Sequence, residues 1–210
     1  MSASTTPRRR EATRERLLEA ARHVLAETGI QGATVETICE RAGFTRGAFY
    51  SNFESKDDLV VALFARERDQ MIDRIQEAVE AEVGPGGDPS AVTRIIERFL
   101  ATYPNDRENF LIHQEFVTHS VRHPQITGVY RELWQRTTDD LSGVVADAAS
   151  TLGLELHVAP RTLALLLHGA FEVALRDHFL ESDQEAFDGA RLHEMIGALL
   201  LLAVPAQEAR

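Results

Sequence analysis

Gly43 is the position that most constrains this chain. Before it, "TVETICERA" (Thr34–Ala42) places Val35, Ile38, Cys39 and Ala42 on one helical face, with Thr34 suited to the N-cap. After it, "TRGAFYSN" (Thr45–Asn52) turns Phe49 back toward that face, with Phe53 following. Thr45, Arg46, Gly47, Ala48 and Tyr50 are left pointing outward. Glycine ends the first stretch and sets a tight turn. Two short helices joined in this way, with a longer helix ahead of them, make a helix-turn-helix unit. In such a unit the second helix enters the major groove of DNA and the first braces it across the backbone. Arg46, at the N-terminal end of the second helix, is placed to grip guanine O6 and N7 with two bonds. Gly47 lets the backbone approach closely. Lys56 stands in the first turn of the next helix, where a cation opposes the dipole unless a phosphate lies there too.

Charge is divided unevenly. The net charge is −11, which argues against unselective binding of nucleic acid by the whole surface. Residues 1–53 nevertheless carry eight arginines against six glutamates, a balance of +2, so the remainder carries −13. The opening "MSASTTPRRR" is polar and basic, with no apolar segment of the secretory kind after it. The longest apolar run, "IGALLLLAV" (Ile196–Val204), is shorter than the roughly 20 residues of a spanning helix. With a single cysteine, Cys39, no internal disulfide forms, as suits a reducing compartment. The expectation is a cytoplasmic protein with no membrane segment.

The stretch "TVETICERAGFTRGAFYSNFESKDDL", preceded by "TRERLLEAARHVLAETGIQGATV", resembles the N-terminal domain of tetracycline-repressor (TetR) family transcriptional regulators. The shared pattern is Thr34-Val35, Ile38, Ala42-Gly43, Thr45, a basic residue before Gly47, then Tyr50, Phe53 and Lys56. It covers roughly residues 10–65. The resemblance implies an all-α homodimer with a DNA-binding domain and a larger C-terminal domain for a small-molecule inducer. Under it, Thr34, Thr45, Arg46, Gly47, Ala48, Tyr50, Asn52 and Lys56 become the DNA-contacting set, with Tyr50 and Lys56 on phosphates. Asn52 stands where histidine or another aromatic is frequent, and Ala48 where threonine or serine often contacts DNA. The domains expected are a disordered basic tail (1–9), the helix-turn-helix domain (10–54) and a helical ligand-binding and dimerisation domain (55–210). Arg8, Arg9 and Arg10 either solubilise the tail or reach phosphates and the minor groove.

Apolar spacing predicts helices throughout and no strands. The first runs from about Glu11 to Glu27, ended by Gly29, and the fourth opens at Ser55 with the capping box "SKDD". "GPGGDP" (Gly84–Pro89) reads as a linker. Later helices are predicted at about Val92–Tyr103, Arg107–Ser120, Gln125–Leu152, Pro160–Leu180 and Glu185–Val204. Phe99, Tyr103, Phe110, His113, Phe116, Trp134, Thr137 and His168 either fill a core or line a cavity for the inducer; the family favours the cavity. The last two helices, with "LALLLHGAF" and "MIGALLLLAV", are apolar nearly all round, which suits a four-helix interface with a second copy, or else deep burial within one chain. "HEMIG" lacks the second histidine of a zinc-protease motif, and no phosphate loop or nucleophile elbow is present. No catalytic residue, metal site or cofactor is expected. The expected function is a ligand-responsive DNA-binding regulator, released as a repressor from a palindromic operator by a small apolar or amphipathic molecule. The alternative is a helical carrier or enzyme using the C-terminal cavity.

Overall fold

A computed structural model describes residues 5–84, 91–103, 105–182, 184 and 187–203. The expected linker, apart from Gly84, lies outside these residues. Every regular element described is a helix: α1 (Thr5–Gly32), α2 (Val35–Ala42), α3 (Arg46–Tyr50), α4 (Lys56–Glu82), α5 (Ala91–Thr102), α6 (Arg107–Arg122), α7 (Pro124–Thr151), α8 (Pro160–Glu181) and α9 (Ala190–Ala203). The all-α expectation is met. The chain forms two compact units. One comprises residues up to Glu67 and Glu108–Glu132; the other comprises Arg68–Arg107 and Leu133 onward. Helices α4 and α7 therefore contribute residues to both.

In the first unit, the apolar stripe of α1 (Leu17, Leu18, Ala21, Leu25) is fully buried with Ile38 of α2, Phe49 of α3, Phe53, and Leu59 and Leu63 of α4. Phe64 stacks on Phe116 of α6 with centroids 3.6 Å apart, and Phe116 meets Tyr130 of α7 edge to face. Both caps around Gly43 follow the sequence. Thr34 Oγ accepts from the Thr37 N–H at 3.1 Å, and Gly43 takes the left-handed conformation (φ 71°), donating its N–H to α2 carbonyls. Thr45 caps α3.

Helix α1 differs from the expected bounds at both ends. It is helical from Thr5, so Arg8, Arg9 and Arg10 stand exposed on a helix rather than on an unstructured tail; residues 1–4 lie outside the described part. Pro7 is tolerated in a first turn, where N–H groups have no helical partner, and arginine is a good helix former. The Thr13 hydroxyl also donates to the Arg9 carbonyl at 2.9 Å. At the far end Gly29 (φ 69°) breaks the helix as expected, yet one further turn reaches Gly32. Polar groups freed by this break would be costly unpaired. Glu115 of α6 accepts the Ile30 N–H at 3.2 Å, and Lys56 Nζ donates to the Ile30 and Ala33 carbonyls at 2.6 and 2.8 Å.

In the second unit, Met71, Ile72 and Ala78 of α4 pack with Phe99 and Tyr103, and partly buried Leu141 of α7 and Phe171 of α8 join them. Phe99 stacks on Tyr103 at 5.2 Å. Helix α9 starts later than predicted because the Asp188 carboxylate accepts the Ala190 N–H at 3.1 Å and Gly189 is left-handed (φ 74°). No described helix is long and apolar enough to cross a membrane.

Candidate nucleic-acid interface and ligand cavity

The outer face of α3 is built by its own caps. Thr45 Oγ accepts the Ala48 N–H at 3.3 Å, and Ser51 Oγ donates to the Gly47 carbonyl at 2.8 Å. These bonds fix a helix of five residues, too short to hold itself. Phe49 anchors it from below, fully buried, with Tyr50 edge-on to its ring at 5.3 Å. Thr34, Thr45, Arg46, Gly47 and Tyr50 are exposed. A Cβ added at Gly47 would meet nothing closer than Thr45 Oγ at 3.7 Å, so nothing within the chain demands glycine there.

Arg46 lies over the Tyr50 ring at 5.9 Å and pairs with Glu36 of α2 at 2.6 Å. Its bond to Tyr50, and then the Glu36 charge, push the guanidinium pKa above its already high ordinary value. The ion pair is exposed on both sides, and such pairs hold weakly.

Three residues of the expected DNA-contacting set face differently. Ala48 is half-buried. Asn52 is half-buried and its amide donates back to the Ala48 carbonyl at 2.8 Å. Lys56 gives two of its three protons to the carbonyls of Ile30 in α1 and of Ala33 just after it. The end of α4 beside it is already compensated: Asp57 and Asp58 occupy the first turn, and Ser55 Oγ accepts the Asp58 N–H at 3.0 Å. Asp58 in return accepts the Glu54 N–H at 3.0 Å, one residue upstream of the partner a capping box uses.

The second unit holds a partly open cavity of about 170 Å³, with Met71 and Ile75 of α4, Phe99 of α5, Val145 of α7, Leu167 and His168 of α8 and Ile196 of α9 in its wall. Of the eight residues considered for a cavity, Phe99 and His168 line this one. Tyr103 and Trp134 stand behind them, stacked on Phe99 and edge-on to His168 at 5.0 Å. Thr137 is buried and bonded to the Leu133 carbonyl at 2.9 Å. Phe110, His113 and Phe116 belong to the first unit, where Phe116 and His113 pack against Phe64. Aromatic character alone could not separate these two groups, because helical spacing marks a buried face without saying which unit buries it.

The sequence pattern of the family described as bacterial regulatory proteins, tetR family, matches residues 17–63, from the buried stripe of α1 to the third turn of α4. Residues 17–63 carry the TetR-family pattern. It is 24% identical over 193 residues to the HTH-type transcriptional regulator UidR of Escherichia coli, covering 90% of this chain and 94% of UidR. Identity is 33% over 117 residues to the HTH-type transcriptional repressor AcnR of Corynebacterium glutamicum, across 52% of this chain and 62% of that protein. The fold matches that of the regulator FadR from Bacillus subtilis, solved with stearoyl-CoA: TM-score 0.67, 18% identity, 90% of this chain and 96% of that one.

The cations of the first unit are divided between frame and surface. Arg16 donates to the Ala42 carbonyl at 2.8 Å and lies over Phe44; Arg14 lies over Phe53. Arg22 pairs with Glu108 of α6 at 3.0 Å, and Arg41 grips Glu27 with two bonds of 2.8 Å. Arg41 also holds the Glu27 carboxyl below its ordinary range. Glu36 was not legible as a partner of Arg46, since the two sit on different helices and only the Gly43 turn brings them together. Among the described residues no group of three or more His, Cys, Asp or Glu side chains is placed to hold a metal ion. His119 of α6 instead meets Asp57 at 3.3 Å and the His123 ring at 4.1 Å.

Proposed function

We propose that this regulator is a cytoplasmic homodimeric repressor, released from a palindromic operator when a small molecule enters the cavity of the second unit. The observation that carries the DNA reading is the outer face of α3. It offers an arginine, a tyrosine hydroxyl and a threonine to solvent around a glycine that the fold does not need. Arg46 is assigned to a base edge and Tyr50 to a phosphate, with Thr34 and Thr45 at the flanking backbone. Gly47 gives clearance. Ala48, Asn52 and Lys56 take supporting roles, since they turn inward or hold the frame. Arg8, Arg9 and Arg10, exposed on α1, are assigned to the neighbouring DNA backbone. The name of AcnR supports repression, and the stearoyl-CoA complex of FadR supports a ligand-binding second unit.

Dimerisation is assigned to α8 and α9. Leu165 and Leu166 on the one, and Leu201 and Leu202 on the other, are exposed, at 41–84% of their surface. Two helices from each copy close such a face. A dimer would carry two copies of α3, spaced about 34–36 Å for successive major grooves. Helix α4 links the sites: Met71 and Ile75 line the cavity, and Lys56 at its start props the broken end of α1. A ligand acts only by binding the two states unequally.

The test is selection of bound fragments from the source genome at moderate salt. An enriched palindrome is expected, with binding that falls steeply as salt rises. Arg46→Ala should relax the sequence preference without loss of stability. Glu36→Gln, which removes the competing carboxylate, should tighten binding a few-fold. No enrichment with folded dimeric protein would overturn the DNA reading.

A further inference from the structure

We infer that the cavity of the second unit selects compact, uncharged, largely hydrocarbon ligands, about the size of one or two fused six-membered rings, and rejects ions. This rests on the reading of that cavity as the inducer site.

Size comes first. A cavity of about 150 Å³ lined by Leu, Ile and Phe stays dry and takes benzene. The space here, about 170 Å³, is only slightly larger. A long acyl chain would extend beyond it. Flat rings fit the wall, because Phe99 and Phe171 meet edge to face at 5.6 Å and both border the space.

Charge comes second. No charged side chain is among the described residues that line the cavity, and His168 is the one lining side chain that carries nitrogen. A carboxylate or ammonium brought here would leave water without a counter-ion, a cost that pKa shifts or exclusion relieve. A ligand with one hydroxyl or carbonyl can be served by the imidazole; one with several polar groups cannot. Ile75, Val145, Leu167 and Ile196 complete a wall that offers dispersion contacts alone.

Naphthalene, 2-naphthoate and benzyltrimethylammonium are the probes, titrated calorimetrically into the full chain with melting followed in parallel. Naphthalene should bind once per chain and raise the melting temperature. The two ions should bind at least about a hundredfold more weakly, given the cost of burying an unpaired charge. Ala164→Leu and Val145→Phe, which fill the space from two helices, should each weaken naphthalene at least tenfold in protein that still melts cooperatively. Equal binding of 2-naphthoate, or unchanged naphthalene binding in both filled variants, overturns the inference. So does the absence of naphthalene binding by protein that binds its operator, an outcome that leaves the DNA reading standing. If naphthalene binds, the ions do not, and operator affinity stays unchanged, the ligand preference holds and the release mechanism fails.

Discussion

The two units bury their surfaces to different ends. In the first, polar atoms set free by broken helices are met by directed bonds. Lys56 holds the Ile30 and Ala33 carbonyls, Glu115 holds the Ile30 N–H, and Arg16 holds the Ala42 carbonyl at the Gly43 turn. Phe49 and Phe53 are fully buried beneath α3, and the recess of about 150 Å³ beside Gly29 is lined by polar groups such as Thr28, Glu115 and Arg122. In the second unit the apolar faces of α4, α5, α7, α8 and α9 leave a space of about 170 Å³. A surface that reads bases must hold side chains within fractions of an ångström, which directed bonds and full packing achieve. Enclosing a ligand needs the reverse, a wall whose atoms lack partners on one side until the ligand supplies them.

Truncating an aromatic ring in each unit should separate the two most clearly. Phe49→Ala removes a fully buried ring and should cost about 3–5 kcal/mol, with operator binding lost. Phe171→Ala removes a ring that already borders empty space, and should fall at the low end, about 3 kcal/mol. Urea unfolding of both variants checks this. Equal losses would mean that the cavity wall is as tightly supported as the recognition core.

A smaller effect is expected from Lys56→Met. It leaves two backbone carbonyls without their donor while keeping the stem's bulk, and should cost about 1–3 kcal/mol. If Lys56 served a phosphate alone, stability would be unchanged and only DNA affinity would fall. Thermal melting in the absence of DNA distinguishes the two. In Lys56→Met the hydrogen-exchange protection of the Gly29–Ala33 turn should also fall, while that of α8 should not.

The smallest expected effect concerns Cys39. Burial, and then the nearby Glu36 charge, push its thiol pKa up, so the thiolate is scarcer at neutral pH than in a free cysteine. Alkylation by iodoacetamide should be slow in the folded protein and should accelerate as pH rises above the raised value. Rapid modification at neutral pH would show that the α2–α3 region opens far more readily than its packing implies.

Much of the recognition region was legible because its signals are local. Thr34, Gly43, Thr45 and Ser55 act on backbone groups within a few residues, so their types and spacing announce the caps. Helical periodicity marked α2, α4, α5 and α8 for a similar reason. The carbonyl partners of Lys56 were not legible, because its place in the first turn is local information whereas they lie 23 and 26 residues earlier. The bounds of α9 depended on Asp188 and Gly189, whose turn chemistry an apolar run obscures.

By itself, then, the sequence determined the helices, their caps and the outward set Thr45, Arg46, Gly47 and Tyr50 on α3, since each follows from neighbours along the chain. Only the tertiary structure decided that Glu36 sits on Arg46, that Lys56 and Glu115 mend the break at Gly29, and that Phe99 and His168 line a cavity while Phe116 fills a core. Those outcomes depend on contacts between helices distant in sequence. A residue's type records that it will be buried or bonded, but the partner is chosen by packing.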